Sequence, residues 1–288
     1  PQICPVDADM PRSAVMTFDI DALRVPPGKN LKLDSIDPRS TPEWDGTDKD
    51  EGKARVDVLN ARLEELQELL YAEGQQRLLV VLQAMDAGGK DGTIRHVFDG
   101  VNPSGVRAPA FKKPSAEELA HDYLWRVHNE VPGDGEIVIF NRSHYEDVLV
   151  VRVMDLVPEK RWRKRYEHIV DFERMLADEG TTIVKIYLHI SKDEQKERLQ
   201  ARLDDPAKHW KFDEHDIAQR KYWHKYMVAF EDAIRKTSTD DAPWYIIPAN
   251  RKWFRDYSIM SILVDTLKDM DPQYPPADGF DPAAITIE

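Results

Sequence analysis

Leu78-Leu-Val-Val-Leu-Gln-Ala-Met-Asp-Ala-Gly-Gly-Lys-Asp-Gly-Thr93 carries the strongest structural signal in the chain. A run rich in Leu and Val opens onto Gly88-Gly89-Lys90 and then onto a segment of helical character. Strand, glycine loop, lysine, helix is the order of a phosphate-binding loop: backbone N–H groups and a helix N-terminus face the anion, and the lysine reaches it. Gly88, Gly89, Asp91, Gly92 and Thr93 are the candidate phosphate contacts of this loop, with Lys90 as its catalytic cation. The departures from the general Gly-x-x-x-x-Gly-Lys-Ser/Thr pattern are informative. Ala84 stands at the first Gly and Asp91 at the Ser/Thr, while Asp86 adds a carboxylate. Two carboxylates in a phosphate cradle repel the phosphate unless a cation lies between them. Hard divalent cations favour oxygen ligands, so Mg²⁺ is the expected bridge, with Mn²⁺ as the alternative. A glycine-rich turn with solvated charges is the competing reading of the same residues.

The whole chain bounds what can surround this loop. Its 288 residues suffice for one large α/β domain or two small ones. A hydrophobic content of 41% with 32% charged residues suits a soluble globular protein. The net charge of −13 argues against general nucleic-acid binding, whose footprint is basic. An anionic small substrate is still compatible, because a local basic channel can exist on an acidic protein. Cys4 is the one cysteine, so no disulfide can form within the chain, and a reducing, cytoplasmic setting is expected. No run of ~18 apolar residues suggests a membrane span, and residues 1–24 do not read as a signal peptide.

Along the chain, residues 1–52 are rich in Pro, Asp and Gly, and are expected to be an irregular extension that wraps the core or a neighbouring subunit. Val56, Leu59, Leu63, Leu66 and Leu70 recur at steps of three and four, one face of a helix closed by Gly74. That face is expected on the sheet or at a subunit contact. Strands are predicted over 78–84, 136–140, 183–190 and 244–248, with a short one at 105–111. A helix begins near Lys90; others are predicted from the Ser115–Glu118 capping box to about 131, and over 158–178, 192–203, 216–236 and 253–269. Strands alternating with helices argue for a parallel sheet covered on both faces, with ligands at the carboxyl ends of the strands.

Several groups at those ends suit phosphate chemistry. Arg142 follows an apolar strand and would neutralise a transferring phosphoryl group. Glu146 and Asp147 would hold a metal directly or through water, or else merely favour a helix start through its dipole. His144 is a candidate proton carrier or a simple hydrogen-bonding residue. Lys112 and Lys113 place a positive pair beside the loop. Arg161-Trp-Arg-Lys-Arg-Tyr166 is the densest basic cluster and reads residue by residue as a solvated helix face. Arg198 and Arg202 share a helix face, and Lys208-His-Trp-Lys211 follows in a charged, aromatic segment. Cations of such a segment would close over phosphates and exclude water, with Arg202 and Lys208 favoured for that role.

Taken together, Met85–Gly92, Phe111-Lys-Lys-Pro114, Asp122-Tyr-Leu-Trp-Arg126, Phe140–Val148 and Lys208-His-Trp-Lys-Phe212 resemble the family-2 polyphosphate kinases over about residues 30–270. The His-Tyr-Glu-Asp version resembles their class-III branch, which acts on both AMP and ADP. The resemblance implies a P-loop kinase fold over 53–288: a three-layer α/β/α sandwich with a parallel sheet and a helical lid at about 202–222. It implies reversible, Mg²⁺-dependent transfer of a terminal phosphate from inorganic polyphosphate to AMP or ADP, in a homodimer or homotetramer. By the same resemblance Asp86, Lys90 and Arg142 are the catalytic set. Polyphosphate contacts extend to Lys112, Lys113, Arg202, Lys208 and Lys211. Nucleotide contacts fall at Asn141, Arg142 and His144, and metal ligands at Asp86, Glu146 and Asp147. Many relatives carry Asp where this chain has Asn141, and an amide is the poorer Mg²⁺ ligand. An ATP-dependent nucleotide kinase and a non-catalytic polyphosphate- or nucleotide-binding protein are the competing readings.

Overall fold

A computed structural model describes residues 18–277, 279 and 284–287 of the chain. Cys4 and residues 1–17 of the expected N-terminal extension lie outside the described residues. Among the described residues six strands form one sheet: β1 (Arg24–Val25), β2 (Arg77–Ala84), β3 (Val106–Arg107), β4 (Ile137–Asn141), β5 (Thr181–His189) and β6 (Trp244–Pro248). Their spatial order is β1-β6-β5-β2-β4-β3, parallel except for β1, which runs antiparallel to β6.

The strands are apolar almost throughout because both faces of the sheet are covered. Alternate residues enter opposite cores. Leu79, Val81, Val138, Phe140, Ile183 and Tyr187 face one cluster. It is closed by α6 (Glu159–Asp178) and α9 (Trp223–Thr237). Leu78, Val80, Ile137, Ile139, Val184 and Ile186 face the other, closed by α1 (Lys49–Glu73) and α10 (Lys252–Met270). The result is the mixed α/β, three-layer arrangement expected of the sequence. The apolar stripe of α1 lies against α10 and the sheet: Leu63, Leu66 and Leu70 are buried in the core they share with β2.

Several boundaries differ from the sequence expectation. The helix expected over 216–236 divides into α8 (Glu214–Arg220) and α9, the short strand expected over 105–111 is regular only at Val106–Arg107, and two more differences have local causes. The helix read from Val56 starts at Lys49, inside the stretch expected to be irregular, because the Asp48 carboxylate caps the N–H groups of Asp50 and Glu51. The helix expected from the capping box to residue 131 splits into α3 (Ala116–Ala120) and α4 (Trp125–His128). Between them Asp122 accepts from the Leu124 N–H at 2.9 Å, a local turn that competes with the helical ladder. The remaining helices are α2 (Lys90–Val97), α5 (Val150–Val153), α7 (Lys192–Leu203) and α8 (Glu214–Arg220).

Residues 18–48 strap the β6 side of the molecule. Leu33 is fully buried and its N–H donates to Glu231. Further on, His189 meets the Ile36 carbonyl at 3.1 Å, and Trp44 packs edge-on against Trp253 and Tyr257 of α10. Among the described residues no helix is long and apolar enough to cross a membrane.

Candidate functional site

The carboxyl ends of β2 and β4 lie side by side in the parallel sheet, Leu82 level with Asn141. The loops that leave these two strands therefore meet at one rim. After β2 the chain turns tightly, with the Gly88 N–H donating to the Met85 carbonyl at 2.8 Å, and enters α2 at Lys90. The turn has no room at Gly88: a Cβ there would lie 2.5 Å from the Ala84 Cβ and 2.6 Å from the Met85 carbonyl oxygen. Gly89 has φ +108°, and a Cβ on it would meet the Arg255 guanidinium at 2.7 Å. Two residues with side chains are also left-handed at this rim, Ala87 (φ 58°) and Arg142 (φ 64°). Such a conformation costs about 1–2 kcal/mol outside glycine. Strained backbone of this kind gathers at functional sites.

The loop borders an open cleft of about 720 Å³. Asp86, Gly88, Gly89, Lys90, Asp91 and Gly92 line it, as do Asn141 and Arg142 from the end of β4. Lys112, Lys113, Arg202, Lys208 and Lys211 also line it. Within it Arg142 pairs with Asp86 at 3.1 Å, and Asn141 donates to the Asp91 carboxylate at 2.7 Å. Lys90 donates to the Ala84 carbonyl at 3.2 Å. Its ammonium lies below the usual lysine range because it is desolvated and faces Arg142, against the pull of Asp86, Glu146 and Asp91.

A smaller cavity of about 200 Å³ opens on the other side of the Asp86–Arg142 pair. Leu149, Val150, Tyr226 and Phe230 give it apolar walls; Glu146, Asp216 and Gln219 give it polar edges. Burial raises the Glu146 carboxyl, with Arg142 and Lys90 opposing; burial and then Asp86 raise that of Asp216.

Three of the residues expected at the site are turned away from it. Thr93 is 2% exposed, with a buried hydroxyl that finds no partner, and it points beneath α2. His144 is also in the interior, against Glu173 at 3.1 Å, because the turn after Ser143 directs it under the sheet rim. Asp147 is occupied by Arg165 at 2.8 Å, so the expected set of Asp86, Glu146 and Asp147 does not converge. Arg202, although at the cleft, is engaged with Asp216 and with the Lys211 carbonyl, both at 3.1 Å. It ties the 204–222 segment to α7.

The cleft also contains cations that the motifs do not reveal: Arg95, Lys252 and Arg255. Arg255 is 2% exposed and held by Asp256 at 2.7 Å. Arg198 was visible in the sequence as the partner of Arg202 on a helix face, but its task was not. Its guanidinium donates to the Gly88 carbonyl at 2.8 Å, to Ala87 at 3.3 Å and to Ala249 at 2.6 Å. One turn earlier on α7, Gln195 donates to the Asp86 carbonyl at 2.9 Å. The glycine loop is thus braced from behind by α7.

Ten or so cations around a braced glycine loop, in a chain of net charge −13, form a site for a polyanion. The comparisons agree with that chemistry. Residues 46–275 match the family Polyphosphate kinase 2 (PPK2). An AMP/ADP-polyphosphate phosphotransferase from Meiothermus ruber is 62% identical over 252 residues, 88% of this chain and 94% of that protein. An ADP-polyphosphate phosphotransferase from Rhodopseudomonas palustris is 45% identical, covering 74% of this chain and 78% of its own. The crystal structure of Polyphosphate Kinase 2 from Arthrobacter aurescens TC1 superposes with a TM-score of 0.89 at 48% identity, over 93% of this chain and 95% of that one. With its glycine loop, cationic cleft and this likeness along nearly its whole length, the chain belongs to the polyphosphate kinase 2 family.

Proposed function

We propose that this protein transfers the terminal phosphate of inorganic polyphosphate to AMP and ADP. The observation that carries the reading is a pair of unlike cavities sharing the Asp86–Arg142 wall. The large cationic cleft suits a chain of phosphates with no apolar part. The small half-apolar cavity, with Tyr226, Phe230 and hydrogen-bonding edges, suits a nucleoside. A nucleotide seated there presents its phosphate at Arg142. Its terminal oxygen attacks the end phosphorus of polyphosphate in line. The new P–O bond forms as the bond to the penultimate phosphate breaks, and the shortened chain keeps the bridging oxygen. The nucleophile is already anionic, so no general base is needed. Lys90 and Arg142 bind and neutralise the oxygens of the transferring group.

Among the described residues no three His, Cys, Asp or Glu side chains gather to hold a metal ion by themselves. Asp86 and Asp91, however, are carboxylates of the glycine loop itself in a mainly cationic cleft, and as oxygen donors they would hold a Mg²⁺. When bound, Mg²⁺ would add charge neutralisation between donor and acceptor phosphates. The segment 204–222 is the lid of this reading, with Lys208 and Lys211 facing the cleft.

The test is turnover by purified protein with Mg²⁺ and long-chain polyphosphate, offered AMP and ADP separately and followed by chromatography. ADP and ATP formed from AMP support the full reading. Product from ADP alone removes the AMP activity. No product from either, with transfer once ATP replaces polyphosphate, replaces the reading with an ordinary nucleotide kinase.

A further inference from the structure

Beneath the turn that carries Arg142 lies a polar cluster that no step of the transfer uses. Glu173 of α6 and Lys185 of β5 are 1% and 0% exposed, and they form an ion pair inside the core. The same Glu173 carboxylate meets two further polar side chains. One Oε accepts from His144 Nε2 at 3.1 Å and faces the Tyr145 hydroxyl at 2.8 Å, which it shares with Thr237 Oγ1, also at 2.8 Å. An ionised carboxylate only accepts, so Nε2 carries the proton of His144. Lys185 completes its valences on the Tyr145 oxygen at 3.1 Å and the Thr237 carbonyl at 2.6 Å. Burial opposes the Glu173 charge, but Lys185 and His144 outweigh it and hold the carboxyl below the usual range.

His144 and Tyr145 are consecutive, between Arg142 on one side and Glu146 on the other. Arg142 has a left-handed backbone that does not hold itself. Residues 144–147 form a single tight turn closed by its own bonds, the N–H groups of Tyr145 and Glu146 donating to Ser143 and that of Val148 to the Tyr145 carbonyl, and none of these reaches Arg142. One interior carboxylate thus grips both side chains in the middle of the segment that joins the two cavities.

We propose that Glu173 is a positioning residue for phosphoryl transfer, acting through His144 and Tyr145 to fix Arg142 at the wall between the cavities. This rests on the reading of Arg142 as a phosphate-handling residue. Lys185 keeps the charge of Glu173 balanced, and Thr237 anchors the pair to α9.

Two charge-balanced doubles separate positioning from mere stability. Glu173→Leu with Lys185→Met replaces the buried pair by apolar groups of similar volume, an exchange cores tolerate. It deletes the acceptor of His144 and one of the two oxygens that face the Tyr145 hydroxyl, leaving Thr237 Oγ1 at 2.8 Å. Glu173→Gln with Lys185→Met keeps an amide oxygen in its place. Backbone hydrogen exchange over 142–148 in ligand-free protein is read alongside kcat and the KM for polyphosphate. In the Leu/Met double, exchange of the segment is expected to rise about tenfold. Its kcat is expected to fall about 100-fold, with KM held within about threefold, as for a misplaced rather than missing group. The Gln/Met double is expected to recover both. Wild-type exchange and kcat in a folded Leu/Met double would overturn the proposal; so would a Gln/Met double no better than Leu/Met. Should the Leu/Met protein not fold, Tyr145→Phe, which removes one of the two grips, is expected to raise exchange and lower kcat in part, and wild-type values there would equally overturn it. Exchange is read without substrate, so a wild-type protein inactive towards polyphosphate would refute the proposed reaction without touching the exchange result.

Discussion

Replacing Arg198 by methionine tests whether the glycine loop owes its shape to α7. Methionine keeps the buried stem and removes only the guanidinium. The wild-type group donates to Gly88 at 2.8 Å, to Ala249 at 2.6 Å and more weakly to Ala87 at 3.3 Å. A hydrogen bond from a charged donor contributes about 1.5–3 kcal/mol net, so the two short bonds amount to about 3–6 kcal/mol at most. The two losses are not equal. The loop carbonyls border the cleft, where water can replace the donor. Ala249 is fully buried, and its carbonyl would be left short of a partner, at about 1–3 kcal/mol. A destabilisation of about 3 kcal/mol is therefore expected for Arg198→Met. If about 2 kcal/mol of it is felt where the loop meets the transferring phosphate, kcat/KM falls about 30-fold. Arg198→Lys, which can reach one carbonyl but not three, should fall between. Thermal melts and initial rates with polyphosphate and ADP measure the two quantities. An Arg198→Met protein with unchanged melting and kcat/KM within about threefold of wild type would mean that α7 does not shape the loop.

Further outcomes are expected at the same rim. Adjacent loop residues should respond in opposite directions: Ala87→Gly relieves a left-handed alanine and is expected to raise the melting temperature by about 2 °C, whereas Gly88→Ala, whose Cβ would lie 2.6 Å from the Met85 carbonyl oxygen, should abolish polyphosphate binding measured by calorimetry. The depressed ammonium of Lys90 gives a pH dependence: its charge is present below the folded pKa and lost as pH rises through it, so polyphosphate affinity should fall on the alkaline side before the ordinary lysine value of 10.5 is reached. Stability should move the other way. The unfolded chain binds this proton more tightly, so folding gains as pH rises from the folded pKa towards 10.5. Lys90→Arg should hold the affinity flat over that interval, and an equal alkaline loss in Lys90→Arg would assign the titration elsewhere.

The parts of the molecule that were legible in the sequence are those governed by local pattern. The apolar runs 78–84 and 244–248 are strands at those positions, and the glycine loop lies where its spacing put it. The alternation of strand and helix was enough for the layered sheet. What the sequence did not disclose depends on direction and on distance along the chain. Nothing local in Ser143-His-Tyr-Glu-Asp147 says that a tight turn aims His144 into the core and gives Asp147 to Arg165. Thr93 falls on the inner side of a short helix by a phase that the loop motif leaves unspecified. Arg255 reaches Gly89 from a helix beginning more than 160 positions later, and no motif spans that interval. Asp122 was readable in principle, since Asp favours local turns, but the stronger capping box upstream masked it.

The strap over residues 18–48 bears on how copies of this chain meet in solution. A sheet ends in rows of unpaired N–H and C=O groups, which invite strand addition from another molecule. At one margin the strap lays Arg24 and Val25 against Tyr245 and Trp244, and Ser238 donates to the Val25 carbonyl at 2.6 Å. At the other margin β3 pairs through only two residues, and after an interruption a single bridge joins Ala110 to Asn141. Neither border offers a long flat template, so the apolar strands between them are shielded from edge-to-edge aggregation. A chain shortened past Val25 would uncover Trp244 and Tyr245 at the rim, and its weakness would be precipitation at high concentration before any failure of phosphate chemistry.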